Sequence, residues 1–107
     1  SSRDTKTFLA DDQVMCIYGI GAGQSLSWHG VPWMLSTENL WKHGLHFARG
    51  SVAWMKDAKA RYIELVNYVD ARNTRASRWL SWLGFTIEEA QPYGPDDTLF
   101  HRFVWRS

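Results

Sequence analysis

Apolar positions recur at two different periods along this chain, and each change of period marks an element. Val14 to Ile20 (VMCIYGI) and Gly30 to Thr37 (GVPWMLST) are short apolar runs rich in β-branched and aromatic residues, which predicts strands. Thr5 to Ala10 reads as a weaker strand, joined to the first of these by the polar turn Asp11-Asp12-Gln13. Pro32 lies near the start of its strand, where a missing N–H is tolerated. The glycines of Gly19-Ile20-Gly21-Ala22-Gly23 and the polar segment that follows, to Ser27, predict a loop or hairpin end. From about Glu38 to Arg61 the period becomes helical. Trp41, Leu45, Ala48, Val52, Met55 and Tyr62 fall near one stripe, and Lys56, Asp57, Lys59 and Arg61 face away from it. Gly50 within this helix costs about 1 kcal/mol relative to alanine, which predicts close packing against a sheet.

Tyr62 to Val69 is again strand-like, and its nearly continuous apolar run predicts cover on both faces. Asp70, Arg72 and Asn73 end it. Asn73 is placed to cap the next helix through its side-chain oxygen. Ala76, Trp79, Leu80 and Leu83 follow at i, i+3, i+4 and i+7, and Gly84 stands where a helix ends in a left-handed residue. Phe85, Ile87 and Ala90 open another strand region. Gly94-Pro95-Asp96-Asp97 predicts a hairpin turn, and Leu99 to Trp105 the last strand. The predicted order is β-β-β-α-β-α-β-β, an α+β fold with a mixed, mostly antiparallel sheet. Strands 30–37 and 63–69 should lie side by side and parallel through the intervening helix.

Composition narrows the functional classes. With 107 residues the chain makes one domain, and 12 basic against 11 acidic residues leave a formal net charge of +1. That balance supplies no bulk attraction to nucleic acid or an anionic membrane. No apolar run reaches membrane-spanning length, and Ser1 to Phe8 does not read as a signal peptide. The lone Cys16 has no internal partner for a disulfide and reads as a buried thiol. Seven tryptophans, spread from Trp28 to Trp105, read as core filling.

Residue chemistry gives few strong candidates. His43 and His46 share a helix face, but no third ligand stands at metal spacing, so no metal site is expected. Glu88-Glu89 and Asp96-Asp97 offer carboxylates, on a strand and a tight turn that suit ordinary surface positions. Neither Ser36 nor Ser51 has a nucleophile-elbow motif around it. Arg75 and Arg78, with Arg72 leading in, line the polar side of the second helix and read as a solvated face or an anion contact.

The pattern Asn73, Ala76, Trp79, Leu80, Gly84, Phe85 after a strand resembles the C-terminal motif of the GNAT superfamily of acyl-CoA-dependent N-acetyltransferases. With the YGI strand, the P-W-M-L-S-T strand, the N-Y-V-D-A-R-N turn and the terminal F-x-x-F-x-W strand, the chain more narrowly resembles the GNAT-like proteins of tailed bacteriophages and prophages, among them a small internal virion protein of podoviruses. The resemblance implies a shortened, degenerate GNAT-like fold that lacks the usual first strand and first two helices.

What the resemblance implies for the site turns on departures from the family pattern. Active members carry R/Q-x-x-G-x-G/A after the central strand, where backbone N–H groups at a helix N-terminus hold the pyrophosphate. Here the segment Glu38 to His46 keeps one glycine, Gly44; Leu40 and Trp41 are bulky, and Glu38 would repel phosphate. The family's tyrosine general acid is replaced by Leu80, which has no proton to give. The resemblance therefore implies first a non-catalytic virion-associated or assembly protein without a cofactor. Its partners would be other phage or virion proteins or further copies of itself, in the virion or the host bacterial cytoplasm. The alternative is an acetyl-CoA-dependent N-acetyltransferase of unknown acceptor, with Ser36, Thr37, Gly44 and Asn73 as cofactor contacts and no catalytic residue assigned.

Overall fold

The structure, a computed structural model, describes residues 3–22 and 28–107. It contains strands β1 (Arg3–Ala10), β2 (Gln13–Ala22) and β3 (His29–Ser36), a single 3-10 turn (Leu40–His43), helix α1 (Gly44–Arg61), strand β4 (Glu64–Asp70), helix α2 (Thr74–Leu83), and strands β5 (Thr86–Ile87), β6 (Gln91–Pro92) and β7 (Leu99–Arg106). One mixed sheet runs β1-β2-β3-β4-β7-β5, with β6 also paired to β7, so β5 and β6 form one interrupted edge beside β7. The predicted α+β order and the parallel neighbours are present.

The β1–β2 turn is two residues long. Asp11 and Asp12 both have positive φ, 53° and 60°, which matches the turn whose twist suits a hairpin. The glycines Gly19 and Gly21, predicted in a loop, lie within β2, which pairs with β3 as far as Ala22↔Gly30. The segment Gly23 to Ser27, predicted as loop, falls outside the described residues.

The helix stripe is displaced from its predicted phase. Phe47, Ser51, Trp54, Met55 and Ala58 are the buried positions of α1, whereas Leu45 is 68% exposed and Val52 47% exposed. Met55 and Tyr62 of the predicted stripe are buried, but the apolar yet exposed Leu45 and Val52 drew the rest of it one position off the face that Phe47, Ser51, Trp54 and Ala58 share. Ser51 concealed the true face because it reads as polar. Its hydroxyl donates to the Ala48 carbonyl at 2.8 Å and accepts from Trp79 Nε1 at 3.0 Å, so its burial is satisfied. Gly50 does not mark a close approach. A Cβ there would meet only the Tyr18 hydroxyl at 3.9 Å. Gly50→Ala should therefore raise stability by about 0.5–1 kcal/mol through helix propensity, read as a higher urea midpoint with unchanged slope.

Helix α2 follows expectation. The Asn73 side chain accepts from Ala76 N at 3.1 Å, Ala76, Leu80 and Leu83 are buried, and Gly84 closes the helix at φ 111°. The two crossovers, β3–α1–β4 and β4–α2–β5, advance the same way across the sheet, so right-handed connection puts both helices on one face. There the Phe47 and Trp79 rings meet at 4.9 Å, and Cys16, Tyr18, Ile20 and Leu65 complete the core beneath them.

Two further expectations change. Strand β4 is not covered on both faces: Leu65 is buried, but Tyr68 on the opposite face is exposed, because both helices lie on the other side. The tryptophans are not uniformly core. Trp54 is buried, while Trp28 and Trp82 are exposed and Trp33, Trp41, Trp79 and Trp105 are partly buried. Burial leaves the Cys16 thiol inert, its pKa pushed up to about 11 despite a backbone hydrogen bond from Phe8 that lowers it. Among the described residues no helix is long and apolar enough to cross a membrane.

Candidate functional site

Parallel strands β3 and β4 pair only at His29↔Glu64 and Gly30↔Leu65. Beyond that the two separate toward their C-terminal ends, and a cleft of about 230 Å3 occupies the gap. Asn67 bridges its floor: its Nδ2 donates across to the Pro32 carbonyl at 2.7 Å, and its Oδ1 accepts from Tyr68 N at 2.8 Å. The strand carbonyl that lost its ladder partner thus finds a side chain instead.

The walls are largely aromatic. Trp33 and Met34 come from β3, Tyr68 from β4, Trp54 from α1, and Trp79 and Leu80 from α2. Among the described residues no Asp, Glu, Lys, Arg or His lines the cleft. At its open end stand the N-termini of both helices, since α1 follows β3 and α2 follows β4. Neither first turn carries an acidic residue, and the N-terminal residue of α1 has no side-chain cap. Free N–H groups and about half a positive charge at such ends favour an anion.

The four predicted contacts are divided. Asn73 lines the cleft. Ser36, Thr37 and Gly44 are not in its wall: Ser36 ends β3, Thr37 begins the connection, and Gly44 opens α1. Thr37 is committed elsewhere: its backbone N–H and its hydroxyl both donate to the Met15 carbonyl, at 2.9 and 3.2 Å. Gly44 is open, with nothing within 4 Å of a Cβ built on it. Leu40 does not obstruct this connection, because it is wholly buried, and Trp41 turns inward to meet the Phe47 ring at 6.0 Å. Their bulk serves the core. Sequence reasoning missed Asn67, Trp54 and Tyr18 as cleft residues, because each reads as an ordinary strand or helix position until the strands part.

The other candidate groups lie elsewhere. His43 stands 3.7 Å from the Asp11 carboxylate, and among the described residues no three His, Cys, Asp or Glu side chains converge as a metal site would need. Glu88 is paired with Arg102 at 2.6 Å. Arg72 folds back on Asp70 at 2.6 Å, and its hydrogen bonds hold that carboxyl down at about 2. Tyr18, inside the cleft wall, has its pKa raised, first by burial and then by Cys16, so it stays a neutral phenol.

The backbone arrangement matches known acetyltransferases. A GNAT-family acetyltransferase from Streptococcus pneumoniae superposes with a TM-score of 0.71 at 19% identity, covering 92% of this chain and 62% of that one. Ribosomal-protein-alanine N-acetyltransferase from Brucella melitensis gives 0.74 at 11% identity, covering 94% and 67%. A ribosomal L7/L12 alpha-N-protein acetyltransferase in complex with coenzyme A gives 0.68 at 12%, covering 89% and 56%. The chain therefore spans about 62% of the length of the pneumococcal protein. No family model and no curated protein matches the sequence. The likeness establishes one thing: this chain has the GNAT acetyltransferase fold.

Proposed function

We propose that the protein binds an acyl-coenzyme A thioester and transfers the acyl group to an amine. The observation that carries this reading is the uncharged cleft between the diverging strands, opening beneath two helix N-termini. An acyl-pantetheine arm is long, neutral and amide-bearing, which suits those walls, and its diphosphate suits free N–H donors at the start of α1. The inward-turned Leu40 and Trp41 and the open Gly44 leave room for that approach. The coenzyme A bound to a protein of the same fold adds support.

In the proposed reaction the amine nitrogen attacks the thioester carbon, the C–S bond breaks, and the thiolate leaves. Among the described residues no carboxylate or imidazole lines the cleft to take the ammonium proton, so that proton goes to water or buffer. Leu80 cannot protonate the thiolate; the O–H groups in the wall belong to Tyr18 and Tyr68. The second reading is a non-catalytic phage assembly protein on the same scaffold. One observation favours it, the buried Leu80 where an acid would be wanted.

Thermal unfolding with acetyl-CoA separates the two readings. Under the first, ligand at about 100 times its dissociation constant should stabilise the protein by about 2.7 kcal/mol. Gly44→Glu should abolish that shift and leave the apo protein unaffected, since the new side chain enters open space. A melting curve indifferent to millimolar acetyl-CoA would reject the transferase reading and favour the assembly role.

A further inference from the structure

The cleft is walled from both faces of the sheet. Trp54, Trp79 and Leu80 belong to the helices. Trp33 and Tyr68 come from the other side. Cys16, Tyr18 and Ile20 face the helices, so strand alternation turns Gly19 away, and a Cβ on Gly19 would meet Trp33 Cζ2 at 3.0 Å. Tyr68 is part of the wall and yet 39% exposed, and Tyr93 stacks on its ring at 4.1 Å and 12°. Phe100 in turn meets Tyr93 edge to face at 5.6 Å. An aromatic shelf of Phe100, Tyr93 and Tyr68 thus leads to the cleft along the helix-free face of the sheet.

The charges that flank this shelf are matched within the protein. Arg102, in register with Tyr68, pairs with Glu88 at 2.6 Å, and Asp70, in register with Phe100, pairs with Arg72 at 2.6 Å. An alkylamine resembles a lysine side chain, whose pKa is about 10.4, and arrives as a hydrated ammonium. It would have to shed that water and a proton against walls that, among the described residues, supply neither a counter-charge nor a carboxylate or imidazole base. An amine attached directly to an aromatic ring is different. Its lone pair is delocalised into the ring, so at neutral pH it is unprotonated, and its flat apolar body suits an aromatic shelf. We infer that the acceptor is an arylamine, seated against Trp33 and the Tyr68–Tyr93 stack on the helix-free face. This assignment rests on the acyl-coenzyme A reading above. The arylamine nitrogen attacks the thioester carbon, the nitrogen gives its proton to water, the C–S bond breaks, and the departing thiolate takes a proton from water. The products are an N-aryl amide and free coenzyme A.

The isomers 4-methylaniline and benzylamine differ in whether the nitrogen sits on the ring. With acetyl-CoA at neutral pH, thiol release above the enzyme-free rate should be about tenfold faster or more with 4-methylaniline than with benzylamine or spermidine. Raising the pH from about 6 to about 8 should leave the 4-methylaniline rate unchanged and lift the benzylamine rate about tenfold per unit, as its unprotonated fraction grows. Tyr93 is 50% exposed and outside the cleft wall. Tyr93→Ala should therefore raise KM for 4-methylaniline about fivefold, with kcat and the calorimetric affinity for acetyl-CoA unchanged. Faster turnover of benzylamine or spermidine, an unchanged KM in Tyr93→Ala, or acetyl-CoA binding without turnover of 4-methylaniline overturns the arylamine assignment and leaves acyl-coenzyme A binding intact. A wild type that ignores acetyl-CoA overturns both.

Discussion

Phe47→Ala should unfold this protein more readily than any other single truncation in α1, lowering stability by about 3–5 kcal/mol. Phe47 is 1% exposed and lies where four rings converge: Phe8 and Tyr18 at 5.7 Å, Trp41 at 6.0 Å and Trp79 at 4.9 Å. Those rings come from β1, β2, the 3-10 turn and α2, so one side chain ties four segments to α1. Stiff rings cannot collapse into the space left, and the cavity term therefore adds to the lost burial. Domains of this size have about 5–15 kcal/mol in total, so the loss should lower the melting temperature by about 15–30 °C. Leu45→Ala, two residues earlier and exposed, should change stability by less than about 0.5 kcal/mol. Urea denaturation of the two variants checks the helix phase directly. If Leu45→Ala cost more than Phe47→Ala, the assigned face of α1 would be wrong.

Gly30→Ala should cost about 3 kcal/mol, although it adds a single methyl group. The added Cβ would lie 2.6 Å from Ile20 Cγ2, 2.9 Å from Leu65 Cδ2 and 3.1 Å from Tyr62 Cδ1. Ile20 and Leu65 are fully buried, so neither has free space to retreat into. Gly30 is also half of one of the two residue pairs that join β3 to β4. Its displacement would part the strands at the closed end of the cleft, and any ligand affinity should fall together with stability. Denaturant unfolding measures the first effect and acetyl-CoA titration the second. A Gly30→Ala protein as stable as the wild type would mean that the strands are not held as closely there as described.

These two positions show what local pattern could and could not convey. Phe47 was off the predicted stripe because Leu45 and Val52 are apolar yet exposed, while Ser51, one turn on from Phe47, reads as polar yet is buried. Gly30 read as an ordinary strand start beside Pro32. Nothing local tells that Ile20 on one neighbouring strand and Leu65 on the other press against it. By contrast, the strand ending at Asp70, the Asn73 cap, the stripe from Ala76 to Leu83 and the Gly84 stop were all legible, since each depends on residues within a few positions of one another. From them the α+β order and the GNAT resemblance could be read.

The candidate site was legible only in part. Asn73 could be named because capping is local chemistry. Leu40 and Trp41 were misread as obstructions, because bulk is visible in a sequence and direction is not; both face the core. The Asn67 bridge to Pro32 spans 35 positions and exists only because two parallel strands separate after two residue pairs. Element types and their order follow from short-range hydrogen bonding and hydrophobic period, which the chain carries in its own neighbours. The cleft follows from where distant strands stop pairing and which way large side chains turn, and those are settled by packing across the whole domain.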